Sequence, residues 1–225
     1  MTSSGCAPEQ LPARIGADGS FSLFSERFSE GFHGPIGALR EARAKFVEPA
    51  QLERFPPGSR LQVVDVGFGL GTNSTALLEA AGARGLGLAV HGLELDPEPL
   101  RRALSAPDFR RQWQPASVAM LEALLAHGQW RGGSSRAELL WGDARQRAGD
   151  LLEARQLERG CDLVLLDAFS PQRCPELWSL EFLSLLARLL KPGGRLLTYC
   201  CAAAVRRSLK LAGLQLASIA GPPPA

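Results

Sequence analysis

The sequence predicts an α/β fold, a mostly parallel doubly wound sheet with an N-terminal extension, on three observations. Short apolar runs such as LQVVDV (61–66) and DLVLL (162–166) recur along the chain with helical segments between them. They are apolar at nearly every position, the pattern of strands covered on both faces. The first run passes through a glycine-rich loop directly into a helix, as at the opening of a doubly wound domain.

The elements follow in order. Residues 1–17 hold Ser, Gly, Ala and Pro without periodicity and read as a flexible lead-in. Residues 18–58 form an N-terminal cover segment. Within it DGSFSLFSERFSE (18–30) interleaves aromatic and polar residues, as in a short hairpin or an extended cover. Residues 36–47 then place Ile36, Leu39, Ala42, Phe46 and Val47 on one helical face, and Pro56-Pro57-Gly58 ends the segment. The main domain, 59–220, alternates strand 61–66, glycine loop 67–71, helix 73–81 and strand 88–94. Pro97 suits the first turn of the next helix. A helix over 109–127, with part of another, precedes a short strand at 138–141 and a helix at 144–155. Strand 162–166, helix 179–190, strand 195–200, helix 203–212 and a sixth strand at 214–220 complete it. Residues 221–225 are a Pro-rich end.

Composition narrows the function. In 225 residues, 45% hydrophobic and 21% charged content fits one large α/β domain and excludes a largely disordered chain. A net charge of +2 is too near neutral for a protein that coats nucleic acid electrostatically, although a local basic face is compatible with it. The N-terminus has no secretory pattern, and no apolar run of about 18 residues is present to span a bilayer. The five cysteines (Cys6, Cys161, Cys174, Cys200, Cys201) are odd in number and form no CxxC pair. Neither a disulfide framework nor a metal site is expected, and a cytoplasmic protein is.

The glycine loop reads Asp65-Val66-Gly67-Phe68-Gly69-Leu70-Gly71-Thr72-Asn73. Glycines permit a sharp turn and close backbone approach, and the helix that follows offers unpaired N–H groups. A dinucleotide fingerprint is GxGxxG; here the third glycine comes one residue early. Asp65, two residues before the first glycine, is poor company for a pyrophosphate but good for an ammonium group. S-adenosyl-L-methionine, with a sulfonium, an ammonium and no phosphate, fits these features. Glu94 closes the second strand, where an acid can accept from both ribose hydroxyls. Asp143, after the third strand, is placed to accept from the adenine amine. Asp65, Gly67, Gly69, Gly71, Asn73, Glu94 and Asp143 are therefore the candidate cofactor residues.

After the fourth strand comes LDAFSPQRCPELW, which starts with an acid leaving an apolar strand. Methyl transfer to an amine needs the nitrogen lone pair, so a carboxylate that holds the amine and takes up its proton is useful there. Asp167 is the candidate catalytic residue, with Phe169, Pro171, Pro175 and Trp178 as candidate walls of the substrate pocket. A plain structural alternative is that Asp167 caps a turn and Trp178 anchors the next helix.

The segments DVGFGLGTN, LEL-DP, WGD, LDAFSPQRCPELW and TYCCAAAVRRSLKLAGL resemble the methyltransferase domain of the MnmC family, bacterial enzymes of tRNA wobble-uridine modification. DGSFSLFSERFSEGFHGPIGALREA resembles the opening of the family's single-domain members, so the likeness runs over about 18–213. It implies a Rossmann-like, S-adenosyl-L-methionine-dependent methyltransferase without the FAD oxidoreductase domain. The expected reaction converts 5-aminomethyl-2-thiouridine at tRNA position 34 to 5-methylaminomethyl-2-thiouridine. Gly67, Gly69 and Gly71 would form the cofactor loop, Glu94 and Asp143 would be its ribose and adenine acids, and Asp167 would face the reacting amine. The chain departs from the family at Ser170 and Gln172-Arg173-Cys174, and it is expected to lack a last antiparallel strand at its C-terminus.

Weaker signals remain. Arg206, Arg207 and Lys210 share neighbouring parts of one helix surface and are candidate tRNA contacts, though a solvated helix surface explains them equally. His33 reads as a hydrogen-bonded turn residue, and Cys200 and Cys201 as packing residues. Two other functions stay open: an aminopropyltransferase-like or other small-amine transferase, and a non-catalytic binding module on a methyltransferase fold. Oligomeric state is not legible.

Overall fold

The computed structural model describes residues 11–154, 157 and 159–219. The first element is not a lead-in. Leu11 is buried, and β1 (Ala13–Ile15) pairs antiparallel with β2 (Phe21–Ser25), Ala13 opposite Leu23. Residues 1–10 lie outside the described residues. β1 has no pattern of its own to read; it is recruited as an edge by β2, whose Phe21 and Leu23 are buried. β3 (Glu30–Gly31) completes a three-stranded sheet ordered β1-β2-β3.

The predicted helix at 36–47 is three helical pieces in succession. α1 (Ala38–Ala42) leads into a π-helical turn, Arg43–Val47, and then α2 (Glu48–Ala50), which stops where Gln51 turns left-handed at φ 50°. The main sheet follows with β4 (Arg60–Val66), α3 (Thr72–Gly82), β5 (Gly87–Glu94), α4 (Glu98–Ser105), α5 (Pro107–Arg111) and α6 (Pro115–His127). β6 (Gln129–Gly132) and β7 (Ser135–Trp141) form a hairpin whose turn holds Gly133 at φ 55°. Then come α7 (Ala144–Glu153), β8 (Cys161–Leu166), α8 (Leu180–Leu189), β9 (Leu190–Thr198) and α9 (Ala203–Leu211).

The six strands are ordered β6-β7-β5-β4-β8-β9, parallel at every pairing except β6 with β7. Helices cover both faces. Leu61, Val63, Leu163 and Leu165 face one apolar cluster, with Leu77, Leu121 and Leu124 from α3 and α6. Val64, Val66, Val164 and Leu166 face the other, with Leu151, Phe182, Leu186 and Val205 from α7, α8 and α9. This alternation across near-continuous apolar strands is what the doubly wound reading requires.

One strand of the sheet went unread, and one expectation needs correction. The antiparallel hairpin strand β6 is not legible as a strand in QWRG, which alternates only over four residues. The sixth strand expected at 214–220 does not form: residues 214–219 are not paired, and residue 220 lies outside the described residues. Leu214 and Leu216 instead pack against the α8–α9 side of the core while Ile219 is exposed. Their every-second-residue burial imitates a strand without a partner strand.

β4 is central, with β5 and β7 to one side and β8 and β9 to the other. The chain thus reverses direction of progress between β4 and β8, the crevice where open parallel sheets bind ligands. Val66 pairs level with both Leu93 and Leu166, and Glu94 with Trp141, so four strand ends open onto one edge.

Candidate functional site

That edge and the N-terminal cover enclose a cavity of about 960 Å³. Its floor is the glycine loop. Gly67 and Gly69 both line it, at φ 77° and 56°. A Cβ on Gly67 would stand 3.0 Å from the Asp167 carbonyl oxygen, so the close approach of the two loops depends on the missing side chain. Gly71 lies below, where a Cβ would fall 2.6 Å from Leu121 and 2.8 Å from Phe68; its freedom serves packing of the loop onto the core.

Two acids close the strands beside the floor. Glu94 accepts from the Gly69 amide at 2.7 Å through one oxygen and from the Leu95 and Asp96 amides at 2.7 and 3.1 Å through the other. Burial nevertheless raises its carboxyl above the usual range. Asp143 caps α7 by accepting from the Arg145 amide at 2.9 Å, and its side chain pairs with the Arg145 guanidinium at 2.5–3.2 Å. That pairing lowers its proton affinity. Both line the cavity.

Asp167 emerges from β8 with its own amide donating to the Val66 carbonyl at 3.1 Å, which seats it beside the end of β4. Its Oδ2 accepts from Asn73 Nδ2 at 2.6 Å. Burial pushes its carboxyl up to about 6; the Asn73 hydrogen bond and the charge of Lys45 oppose that rise, and Glu41 and Glu30 add to it. Such a group changes charge within the working range of an enzyme, as a proton acceptor needs to.

The remaining walls come from the cover. Both Glu30 oxygens accept from the Ser170 amide, at 3.1 and 3.3 Å, and one also accepts from its hydroxyl at 2.7 Å. The Phe28 ring stacks on Phe169 at 4.4 Å and 20°, and Phe32 meets the same ring edge-on at 5.1 Å. Glu41 accepts from the Gly34 amide at 3.1 Å and pairs with Lys45 at 3.1 Å. Lys45 in turn lies 5.5 Å from the centre of the Tyr199 ring, whose hydroxyl donates to the Ala168 carbonyl at 2.9 Å. Lys45 belongs to the π-helical turn, a local widening that often accompanies functional sites. His33 Nδ1 sits 2.9 Å from Ser22 Oγ, and burial pushes its pKa down to about 4, so the ring is neutral near pH 7.

Of the residues singled out by sequence, the fold gathers Gly67, Gly69, Glu94, Asp143, Asp167 and Phe169 around the cavity. Asp65, Gly71, Asn73, Pro171, Pro175 and Trp178 do not line it. Asp65 is wholly buried under the loop and accepts from Ser74 Oγ at 2.6 Å. Asn73 reaches Asp167 instead of the cavity. Trp178 stands behind the loop in the core, donating from Nε1 to the Phe169 carbonyl at 2.8 Å and meeting Tyr199 edge-on. It anchors the loop because a buried indole N–H must find an acceptor. Arg206, Arg207 and Lys210 are exposed on α9, which packs through Val205 and Leu209, and none lines the cavity. Glu30, Phe28, Phe32, Glu41, Lys45 and Tyr199 went unread. For Phe28, Glu30 and Phe32 the available signal was the unusual density of Phe, Ser and Glu over 21–33; Glu41, Lys45 and Tyr199 had no local signal.

Comparisons with known proteins agree with this architecture. A family profile described as S-adenosyl-L-methionine-dependent methyltransferase matches residues 108–222. The chain is 34% identical over 209 residues to the tRNA 5-methylaminomethyl-2-thiouridine biosynthesis bifunctional protein MnmC of Pseudomonas fluorescens, covering 85% of this chain and 30% of that protein. It is 30% identical to the protein of the same name from Chromobacterium violaceum, over 86% of this chain and 30% of that one. It thus spans about three tenths of the length of these curated relatives. The crystal structure of MnmC2 from Aquifex aeolicus superposes with a TM-score of 0.74 at 29% identity, covering 94% of this chain and 66% of that one.

Proposed function

This chain belongs to the S-adenosyl-L-methionine-dependent methyltransferase family, and from that premise we propose that it methylates the aminomethyl nitrogen of a wobble 2-thiouridine in tRNA. The names of its bifunctional relatives support the substrate. One observation carries the chemistry: Asp167, with its carboxyl enclosed and pushed up to about 6, lines the same cavity as Gly67 and Gly69.

The residues present fit the methyl donor. Gly67 and Gly69 leave a floor without side chains, and Glu94 and Asp143 supply acceptors at the ends of β5 and β7. An excess of carboxylates over cations around the cavity favours a ligand that carries a sulfonium and an ammonium. When bound, S-adenosyl-L-methionine supplies a methyl group on positively charged sulfur, which leaves as a neutral thioether. Asp167 accepts a hydrogen bond from the amine, aims its lone pair at the methyl carbon and takes up the proton that the nitrogen releases. Phe28, Phe32 and Phe169 exclude water from one side, which strengthens every charge interaction inside. Cys174 also lines the cavity, but burial pushes its thiol up to about 12, so it stays protonated and is no nucleophile.

The test is incubation with labelled S-adenosyl-L-methionine and tRNA bearing 5-aminomethyl-2-thiouridine, followed by mass spectrometry of the nucleosides. A gain of one methyl on that nucleoside is expected. Folded protein that binds the donor and leaves the nucleoside unchanged would reject this substrate.

A further inference from the structure

The first turn of α3 is unusual in its polarity. Thr72, Asn73, Ser74 and Thr75 are all buried, at 0–5% exposure, where a core helix would normally present apolar side chains. Two of the four have a visible task, and each is a carboxylate. Ser74 Oγ donates to Asp65 on β4, and Asn73 Nδ2 donates to Asp167 after β8, both at 2.6 Å. One helical turn therefore grips acids from two neighbouring strands, on either side of the crevice.

The two grips differ in what they leave free. Ser74 holds an acid that is sealed from the cavity. Asn73 holds Oδ2 of an acid that lines it, and among the described residues Asp167 Oδ1 accepts no hydrogen bond. Oδ1 is thus the oxygen available to an amine. The amide also selects a charge state. With its NH2 toward the carboxyl it can only donate, so it favours the ionised form of Asp167 and disfavours a proton on Oδ2. Asn73 Oδ1 is buried without a partner, so the amide makes no second bond that would compete for its orientation.

We infer that Asn73 is a positioning residue that fixes Asp167 through Oδ2, keeps it ionised and leaves Oδ1 to receive the amine proton. This rests on the reading of Asp167 as proton acceptor, and it takes Asn73 out of the set of cofactor ligands. It acts through Asp167 and touches neither methyl donor nor amine. The other charged or titratable groups around Asp167 are Lys45 on the π-helical turn, Glu41 on α1, Glu30 on β3, Asp65 on β4 and Tyr199 after β9. Of these only Lys45 favours the carboxylate, and among the described residues it does so by charge alone, with no hydrogen bond to it; Asn73 adds a donor of fixed direction.

The test reads Asp167 directly. Carboxyl-13C-labelled aspartate in the full chain is titrated by NMR, with Asp167→Asn used for assignment, in wild type, Asn73→Ala and Asn73→Asp. Calorimetry measures S-adenosyl-L-methionine affinity in the same proteins. Asn73→Ala is expected to raise the Asp167 midpoint by about one pH unit and to leave donor affinity within about threefold of wild type. Asn73→Asp keeps the shape of the side chain, covers the case in which the alanine variant fails to fold, and is expected to raise the midpoint further by like-charge repulsion. An unmoved midpoint in Asn73→Ala, or donor affinity lost tenfold, overturns the inference. The titration needs no substrate, so wild-type protein that leaves the aminomethyl nucleoside unmethylated would sink the proposed substrate while the positioning role is still decided by the midpoint.

Discussion

The strand ends of the main sheet and the N-terminal cover wall the same cavity by different physical routes. At the strand ends, position follows from backbone. Glu94, Asp143 and Asp167 stand where parallel strands stop, in a register fixed by ladder hydrogen bonds. In the cover, position follows from side chains. Glu30 is set by its bonds to Ser170, Phe28 by stacking on Phe169, and Lys45 by a π-helical turn and its pair with Glu41. The strand ends are a rigid half built on a core sheet, and the cover is a half held by contacts that can be undone one at a time. The difference predicts that substitutions at the strand ends act on donor binding or, at Asp167, on chemistry, whereas substitutions in the cover act on substrate capture.

The largest effect is expected at the rigid half. Asp167→Asn should lower kcat by about 10²–10⁴-fold with donor affinity nearly unchanged, measured by single-turnover methylation and calorimetry. Equal losses in both would relocate Asp167 to the donor site. The pH dependence follows from the same group. Its carboxyl, pushed up to about 6, loses its proton as pH rises, so kcat/KM should climb through about pH 6 and the Asn variant should lose that limb.

Smaller effects of a different kind are expected in the cover. Phe28→Ala removes an aromatic face beside the reactive loop. Stacking of a base on such a ring is worth about 1–3 kcal/mol, so KM for tRNA should rise roughly tenfold with kcat changed far less. Glu30→Ala cuts the link to Ser170 and should raise KM by a few fold, because the Phe28–Phe169 contact still holds the loop. If either variant lowered kcat as Asp167→Asn does, the division between the two halves would fail.

The same division explains what could be read from sequence. Glu94, Asp143 and Asp167 were legible because an apolar run followed by an acid marks a strand end, and parallel strand ends converge wherever the fold is doubly wound. Depth relative to the cavity was not legible. Asp65 and Trp178 carry the right chemistry and lie a layer behind it, since strand alternation and a buried hydrogen bond decide which way each faces. The cover was legible as a cover but not as a set of roles. Its residues act through contacts 140 positions apart, as between Glu30 and Ser170, which no local pattern encodes. The strand expected at 214–220 failed for a related reason: alternation reports a half-buried segment, and pairing requires a partner edge.

The smallest effect separates the two layers of the rigid half. Asp65 is wholly buried, and burial pushes its carboxyl up to about 7, with Asp167 and Glu94 adding to the rise and the Ser74 hydrogen bond opposing it. In the unfolded chain the same carboxyl ionises near the ordinary value of 3.8. The folded protein therefore holds this proton more tightly than the unfolded one. The stability it contributes is complete below about pH 4 and is lost as pH rises through about 7. Asp65→Asn removes that loss while keeping an acceptor for Ser74. The difference in Tm between variant and wild type should be small at pH 4, grow between pH 4 and pH 7, and reach about 5 °C in favour of the variant at pH 8. Thermal unfolding followed by circular dichroism across that range measures it. A variant less stable than wild type at pH 8, with donor binding lost as well, would make Asp65 a ligand of the cavity and erase the distinction between the floor and its support.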